Sequence, residues 1–557
     1  MSALPKAVSQ MDPALGSKAR LTLHGLSDSV PAAKQLTHSN GRASLRRNAT
    51  APNGTETAFM IERHVVFYVG SKALAAVLNL ASVALFTRLA GPAGYGEYLI
   101  AFAWAYIVYG WSTQWLSLSF FAHYEPDASS RLVATLYRML AVLLAVVGTI
   151  ALVVCLLGFT GWSLTVKVLG LVLGLSVYDA AIQVGRAKLR AGRVSLAIVL
   201  RGVLVLTFGA VALSVFKSGV ALTLAVALAH LLSILPMLPV LRAGPEATGS
   251  RSTAWLYAQY GWPLMASFGT SSLGQNIDRL VLARQRSVAS VGPYGAVSDL
   301  IRQSLVFISE AIAIAYIPLA KAAFASNDIP AAQRYLVQAF RAYSAVFLFG
   351  SVVLLNFADK LVATILGPDF AAATAPLLPW FALAAGLTIF RSYYLGQVIY
   401  FTGSSRLELA ASIATVCVTA SLAFLLVPGH GAIGAAIAMA SGQAAACVVF
   451  LVSALSRPDS PMPLPWRDFL LIGIWAAGGY AMALAIDNTF DDTAMSDILE
   501  GVVIGLTMWG AARTYNIMNF NDIVSDFNSL AGRVGLIGDG DPGPAPPGGR
   551  SGGRDGQ

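Results

Sequence analysis

The sequence has few charged residues: they make up 12% of the 557 residues, whereas soluble domains carry about 25%. Its three cysteines, Cys155, Cys417 and Cys447, lie inside apolar stretches, without the spacing of a metal site or a disulfide framework. We interpret them as small buried hydrophobic residues. Motifs of nucleotide hydrolases, zinc proteases, dithiol oxidoreductases and serine hydrolases are also missing. We therefore expect a protein that is not an enzyme and has no catalytic residue, metal or cofactor.

Long apolar runs are what the sequence has in abundance. Apolar residues make up 56% of the chain and the mean hydropathy is +0.67. A membrane-spanning helix needs about 20 apolar residues, and lipid offers the backbone no hydrogen-bond partner outside a helix or a closed barrel. We predict an all-α polytopic membrane protein with about 14 transmembrane helices, at approximately 65–88, 96–118, 135–158, 166–185, 196–216, 220–241, 257–283, 292–318, 335–355, 372–400, 407–427, 431–454, 469–486 and 498–515.

One short pattern occurs twice at a fixed offset of 196 residues, each time between two apolar runs. It consists of an arginine followed by a Gly-x-Tyr sequence: Arg88, Gly96 and Tyr98, then Arg284, Gly292 and Tyr294. Six predicted spans per half is an even number, so both halves enter the membrane in the same direction. The pattern predicts two parallel six-helix bundles around a central cavity, with two additional C-terminal helices outside the repeat.

Polar segments divide the chain into six parts. Residues 1–61 are basic and lack the apolar core of a signal peptide, and we expect a disordered cytoplasmic tail. The remaining boundaries give a first bundle, a cytoplasmic linker, a second bundle, two further spans, and a cytoplasmic tail that is partly amphipathic and then disordered: 62–241, 242–256, 257–455, 456–515 and 516–557.

The distribution of basic residues predicts the orientation. With the N-terminus inside, the cytoplasmic links carry twelve lysines and arginines and the outer links carry six. The net charge of +9 therefore follows the positive-inside rule, and we expect no nucleic-acid partner. Both termini are predicted to be cytoplasmic.

Charges near the middle of predicted spans are the candidate functional residues. An ionisable residue there costs about 2.5–3.5 kcal/mol on insertion scales and usually faces a cavity or a partner. Lys72, Arg302 and Arg391 are the candidate cavity cations, suited to an anionic ligand.

Acidic residues accompany these cations. Asp278, Asp299 and Glu310 are the candidates for ion coupling. Asp299 and Arg302 are three residues apart, so they could also neutralise each other on one helix face. Arg279 is interpreted as extending to the outer interface. A further three residues near predicted cytoplasmic ends are interpreted as surface anchors: Arg138, Asp179 and Arg201.

Two segments of the sequence, which contain the repeated arginine and Gly-x-Tyr pattern, resemble a known family. The segment ALFTRLAGPAGYGEYLIAF (84–102) and the segment YGWPLMASFGTSSLGQNIDRLVLARQRSVASVGPYGAVSDLI (260–301) are similar to the opening segments of the two halves of polysaccharide flippases. These flippases belong to the multidrug/oligosaccharidyl-lipid/polysaccharide exporter superfamily, and the resemblance covers roughly 62–455. It implies alternating access between two bundles.

The resemblance also implies a substrate and a location. The expected substrate is a polyprenyl-diphosphate-linked oligosaccharide, flipped across a bacterial inner membrane for exopolysaccharide, capsule or O-antigen synthesis. Expected partners are membrane lipids and the polysaccharide polymerase and export machinery. A lipid II flippase and a cation-coupled drug antiporter of the same superfamily stay open. A membrane glycosyltransferase or polymerase is disfavoured because no large extramembrane loop is present, and a non-transporting scaffold would gain nothing from its deep charges.

Overall fold

The computed structural model describes residues 54–242, 249–399, 406–456, 462–490 and 494–517. Within these ranges every regular element is helical and no strand occurs, so the predicted all-α membrane fold class is confirmed. The N-terminal tail up to residue 53, part of the predicted linker and the amphipathic segment after 517 lie outside the described residues. The first helix begins at Gly54, before the predicted boundary at 62.

In the first half, the described residues form seven α-helices. They are α1 (Gly54–Ser112), α2 (Gln114–Ala122), α3 (Ser129–Leu156), α4 (Trp162–Ala187), α5 (Ala191–Phe216), α6 (Gly219–Leu232) and α7 (Leu238–Leu241). Short links join them.

In the second half and the C-terminal region, the described residues form eleven more α-helices. They are α8 (Arg251–Gly274), α9 (Ile277–Gln285), α10 (Val288–Ile301), α11 (Phe307–Ala325), α12 (Ile329–Asn356), α13 (Ala358–Ile365), α14 (Pro368–Thr374), α15 (Leu378–Ile389), α16 (Arg406–Leu455), α17 (Trp466–Asp487) and α18 (Ala494–Thr514).

Eleven helical stretches of the described residues are long and apolar enough to cross a membrane. Two of them are long enough for two crossings, since Gly70–Ser112 has 43 residues and Arg406–Leu455 has 50, against about 20 for one crossing. Each contains one non-helical glycine, Gly91 with φ of 64° and Gly431 with φ of 58°, where an L side chain would be strained. Helices α8 and α9, which correspond to the predicted span 257–283, are more polar than these stretches and are not among the eleven. The count of fourteen spans therefore stays a prediction.

Apolar side chains cover the outside of the helices as well as the core. In the stretch Pro126–Leu156 the mean hydropathy of the most apolar segment is 3.0, yet only 11% of that segment is buried inside the protein. Val142, Ile150 and Leu156 are among its exposed side chains. An apolar surface of this extent is stable only against lipid, which is the environment the sequence predicts.

The repeated Gly-x-Tyr segments lie against each other through a reciprocal contact. A Cβ atom built on Gly96 would collide with the carbonyl oxygen of Val288, and one built on Gly292 would collide with the carbonyl oxygen of Pro92. Pro92 and Val288 are themselves 196 residues apart. This exchange of equivalent contacts is what a two-fold relation between the halves would produce, although the domain boundaries stay a prediction.

We expect Gly292→Ala to destabilise the protein by about 1–3 kcal/mol, because the added methyl group must push two backbones apart. The midpoint of thermal unfolding in detergent should fall. Gly148→Ala is the matched control, since a Cβ there meets nothing within 4 Å. An unchanged midpoint for Gly292→Ala would mean that the two segments do not pack this closely.

Candidate functional site: a charged cavity lined by both halves

A two-lobed cavity lies among the helices and is lined by residues from both sides of the 243–248 link. The larger lobe has a volume of about 560 Å³ and the smaller about 280 Å³. The two lobes are continuous, because they share five lining residues: Asn79, Arg201, Gln303, Phe307 and Glu310. Four arginines and two carboxylates line the larger lobe: Arg201, Arg279, Arg302, Arg391, Asp299 and Glu310.

Arg302 lines the larger lobe and has an exposed side chain. It begins a π-helical turn, Arg302–Val306, which joins α10 to α11. Such turns are rare in helices and frequent at functional sites because they change the direction in which side chains point. Arg302 forms no ion pair with a carboxylate of the described residues, so its guanidinium is available to a ligand.

Arg391 lies in the second π-helical turn, Phe390–Tyr394, which follows α15. It also lines the larger lobe but is 7% exposed. Its guanidinium donates to Glu408 Oε1 at 3.3 Å and to Gln443 Oε1 at 3.4 Å. A charge in the middle of a span needs a partner from another helix, and for Arg391 that partner is Glu408. This pair largely neutralises the charge of Arg391.

Lys72 lines the smaller lobe, not the larger one. Its Nζ atom donates to Glu310 Oε1 at 2.5 Å, which joins α1 to α11 across the cavity. The two side chains are 27% and 36% exposed. This ion pair connects the two halves and must break if the halves separate on that side.

The structure pairs Asp299 with Arg279, not with Arg302. Arg279 Nη2 lies 3.2 Å from Asp299 Oδ1 and 2.9 Å from Ser298 Oγ. Arg279 is 8% exposed, so its interpretation as a residue extending to the outer interface is wrong. Helix α9 turns this side chain inward, where α10 supplies a carboxylate that compensates the cost of burying the charge.

Arg201 and Asp179 line the cavity, so their interpretation as surface anchors is wrong. The guanidinium of Arg201 lies 5.3 Å from the centre of the Tyr178 ring. Its Nε atom is buried without a hydrogen-bond partner among the described residues. Arg201 is therefore a second available cation beside Arg302. Only its depth of about ten residues inside α5 could have revealed this from the sequence.

Asp278 lies apart from the charged lobes and is 1% exposed. The Tyr294 hydroxyl donates to its Oδ2 atom, whereas Oδ1 is buried without a hydrogen-bond partner among the described residues. A buried carboxylate with one unsatisfied oxygen is costly. It is a suitable site for a proton or a small cation, which would remove that cost.

Comparisons with known proteins give matches in structure alone. No family model matches the sequence, and no curated protein matches it significantly. Among solved structures, the lipid II flippase MurJ in an inward closed conformation superimposes with a TM-score of 0.65 at 12% identity, over 83% of this chain and 100% of that chain. The chain has the MurJ fold. Because the identity is low, the likeness establishes the helical architecture and not the substrate.

Two transporters of the MOP superfamily also match. One comes from Pyrococcus furiosus, with a TM-score of 0.48 at 16% identity, over 74% of this chain and 100% of that chain. The other is an outward-facing multidrug resistance MATE transporter, with a TM-score of 0.46 at 16% identity, over 72% of this chain and 96% of that chain. Likenesses at this level do not bear on the function.

Proposed function

We propose that this protein is a flippase that moves a polyprenyl-diphosphate-linked oligosaccharide across the bacterial inner membrane by alternating access. The observation that carries the proposal is the cavity with two available arginines, Arg201 and Arg302, which is lined by both halves of the chain. The similarity of 84–102 and 260–301 to polysaccharide flippases supports it. So does the MurJ fold, since MurJ is a flippase for lipid II.

The chemistry of the cavity fits a diphosphate. Guanidinium groups bind phosphate oxygens through paired hydrogen bonds, and such bonds are strongest where water is largely excluded. Arg302 is exposed to the larger lobe and Arg201 lines both lobes. Arg391 contributes less, because Glu408 and Gln443 already accept its hydrogen bonds.

In the proposed mechanism, Lys72 exchanges one anionic partner, Glu310, for another, the diphosphate of the substrate. In this conformation Glu310 holds the ammonium group at 2.5 Å. A bound diphosphate competes with Glu310 for Lys72, and protonation of Glu310 would favour the exchange. Binding of the anion is in this way coupled to the breaking of an ion pair between the halves, which alternating access requires.

Asp278 is the proposed coupling residue, with Asp299 and Glu310 as further candidates. The sequence contains no nucleotide-hydrolysis motif, so transport against a gradient needs an ion gradient or a partner protein. A proton or cation that satisfies the free oxygen of Asp278 would stabilise one conformation over the other. We also propose that both termini are cytoplasmic and that the polysaccharide polymerase and export machinery are partners.

Lipid II remains the second candidate substrate, favoured by the likeness to MurJ over 83% of the chain. Both substrates present a polyprenyl diphosphate and sugars, and they differ in the peptide that lipid II carries. A drug antiporter is disfavoured because the larger lobe has more arginines than carboxylates, whereas a cationic drug calls for the reverse.

The test is the lipid that accumulates when the protein is depleted from its own cells. We expect mass spectrometry to find a polyprenyl diphosphate carrying a peptide-free oligosaccharide, restored to normal by the wild-type chain. Accumulation of the peptide-bearing disaccharide would instead identify lipid II as the substrate. If no lipid-linked saccharide accumulates, the proposed function is wrong.

A further inference from the structure

Five aromatic rings form a continuous row along one face of α1. Tyr95, Tyr98, Phe102, Tyr106 and Tyr109 follow each other at intervals of three or four residues, which places them on one side of a helix. Successive ring centres are 5.9, 5.9, 6.3 and 6.0 Å apart. The row begins beside the close contact at Gly96, and its first four rings line the larger lobe.

The two ends of the row are held by carboxylates. The Tyr95 hydroxyl donates to Asp299 Oδ2 at 3.1 Å, and the Tyr109 hydroxyl donates to Asp179. Both end rings are buried, at 1% and 6% exposure. Asp179 lines the smaller lobe together with Arg201.

The three middle rings have a different environment. Tyr98, Phe102 and Tyr106 are half-buried and line the larger lobe. The hydroxyls of Tyr98 and Tyr106 form no hydrogen bond with any described residue. Rings that serve only to pack a core would be covered by neighbours and have their hydroxyls satisfied, as at the two ends of the row. These three face open space.

The larger lobe also supplies polar groups suited to sugar hydroxyls. Asn79, Gln275 and Gln303 line it together with the three rings. Aromatic faces that cover the apolar C–H side of a sugar, with amides that bond its hydroxyls, are the complementary surface for a carbohydrate. An isoprenoid chain would match the rings and leave the amides without partners.

We propose that Tyr98, Phe102 and Tyr106 form a carbohydrate-binding surface on which the sugar units of the substrate stack while Arg201 and Arg302 hold its diphosphate. This inference rests on the proposed function and adds the position of the glycan. The sugars then lie in the larger lobe, against the three middle rings.

The experiment compares two probes on the purified full-length protein in detergent. One is undecaprenyl diphosphate, and the other is the same lipid with two N-acetylglucosamine units on its diphosphate. The quantity of interest is the ratio of their dissociation constants. In the wild type we expect the glycosylated probe to bind more tightly. Tyr98→Leu, Phe102→Leu and Tyr106→Leu should each reduce that advantage by about fivefold and leave the affinity for the bare lipid unchanged.

Two controls separate stacking from structural effects. Trp104→Leu removes an aromatic ring from the same helix at a position that is 42% exposed and does not line the cavity, so the ratio should not change. Tyr98→Phe and Tyr106→Phe keep the ring and should keep most of the advantage, even if a leucine variant folds poorly.

Each remaining outcome has one meaning. If wild-type protein binds both probes equally, or if the leucine variants weaken both equally, the rings do not bind sugar and the inference is wrong. The proposed function fails separately if Arg302→Ala leaves the affinity for bare undecaprenyl diphosphate unchanged, because that probe reports the diphosphate site alone.

Discussion

Replacing Arg302 by alanine is expected to reduce transport of the lipid-linked oligosaccharide by about tenfold to a hundredfold, the effect of losing a hydrogen-bonded charge pair. Arg302 is exposed to the larger lobe, lies in a π-helical turn and has no described carboxylate partner. Removing it therefore leaves no buried charge unpaired, and protein abundance should stay at the wild-type level. The measurements are glycan export in cells and abundance by immunoblot.

Two further variants sharpen this prediction. Arg302→Lys should restore only part of the activity, because lysine keeps the charge and loses the paired donors. Arg193→Ala is the matched control, since Arg193 lies on α5 with Arg201, is exposed and does not line the cavity. Normal export by both Arg302→Ala and Arg201→Ala would show that the diphosphate binds elsewhere.

The second large effect is expected for Asp278→Asn. Asparagine keeps the size of the side chain and an oxygen that accepts from Tyr294, but it cannot take up a proton or carry the negative charge. We expect transport driven by an ion gradient to fall to the rate measured without a gradient. The affinity for undecaprenyl diphosphate should not change, because Asp278 does not line either lobe.

Asp369→Asn is the control for the loss of one carboxylate, since Asp369 is exposed at the start of α14. Transport in proteoliposomes with an imposed proton or sodium gradient is the measurement. An Asp278→Asn protein that still responds fully to both gradients would remove Asp278 from the coupling mechanism and leave Asp299 and Glu310 as candidates.

Hydropathy and turn residues predicted the helices well. The breaks at Gly91 and Gly431 lie beside Pro92 and close to Pro428, and proline with glycine is the strongest local signal for the end of a helix. The segment of α8 and α9 is less apolar because it carries Asn276, Asp278 and Arg279, which face inward. The polar residues of this segment therefore indicate that it contributes to the candidate site.

Only part of the charged site could be predicted from the sequence. Depth within a span indicated Lys72, Arg302 and Arg391, because a deep charge needs a cavity or a partner whatever its neighbours are. Their partners could not be predicted, since Glu310 and Glu408 come from other helices. Arg201 was misjudged because a charge two to three turns inside a span can either reach the interface or face a cavity, and only packing decides which.

The most direct measurement of the central claim is the movement of a fluorescent undecaprenyl-diphosphate-linked oligosaccharide in liposomes that contain the purified protein. A quencher that cannot cross the membrane reports which leaflet holds the lipid. We expect faster exchange between the leaflets than in protein-free liposomes, a lower rate with Arg302→Ala, and a wild-type rate with Arg193→Ala. Exchange at the protein-free rate, or equal rates for wild-type protein and Arg302→Ala, would contradict the proposed flippase function.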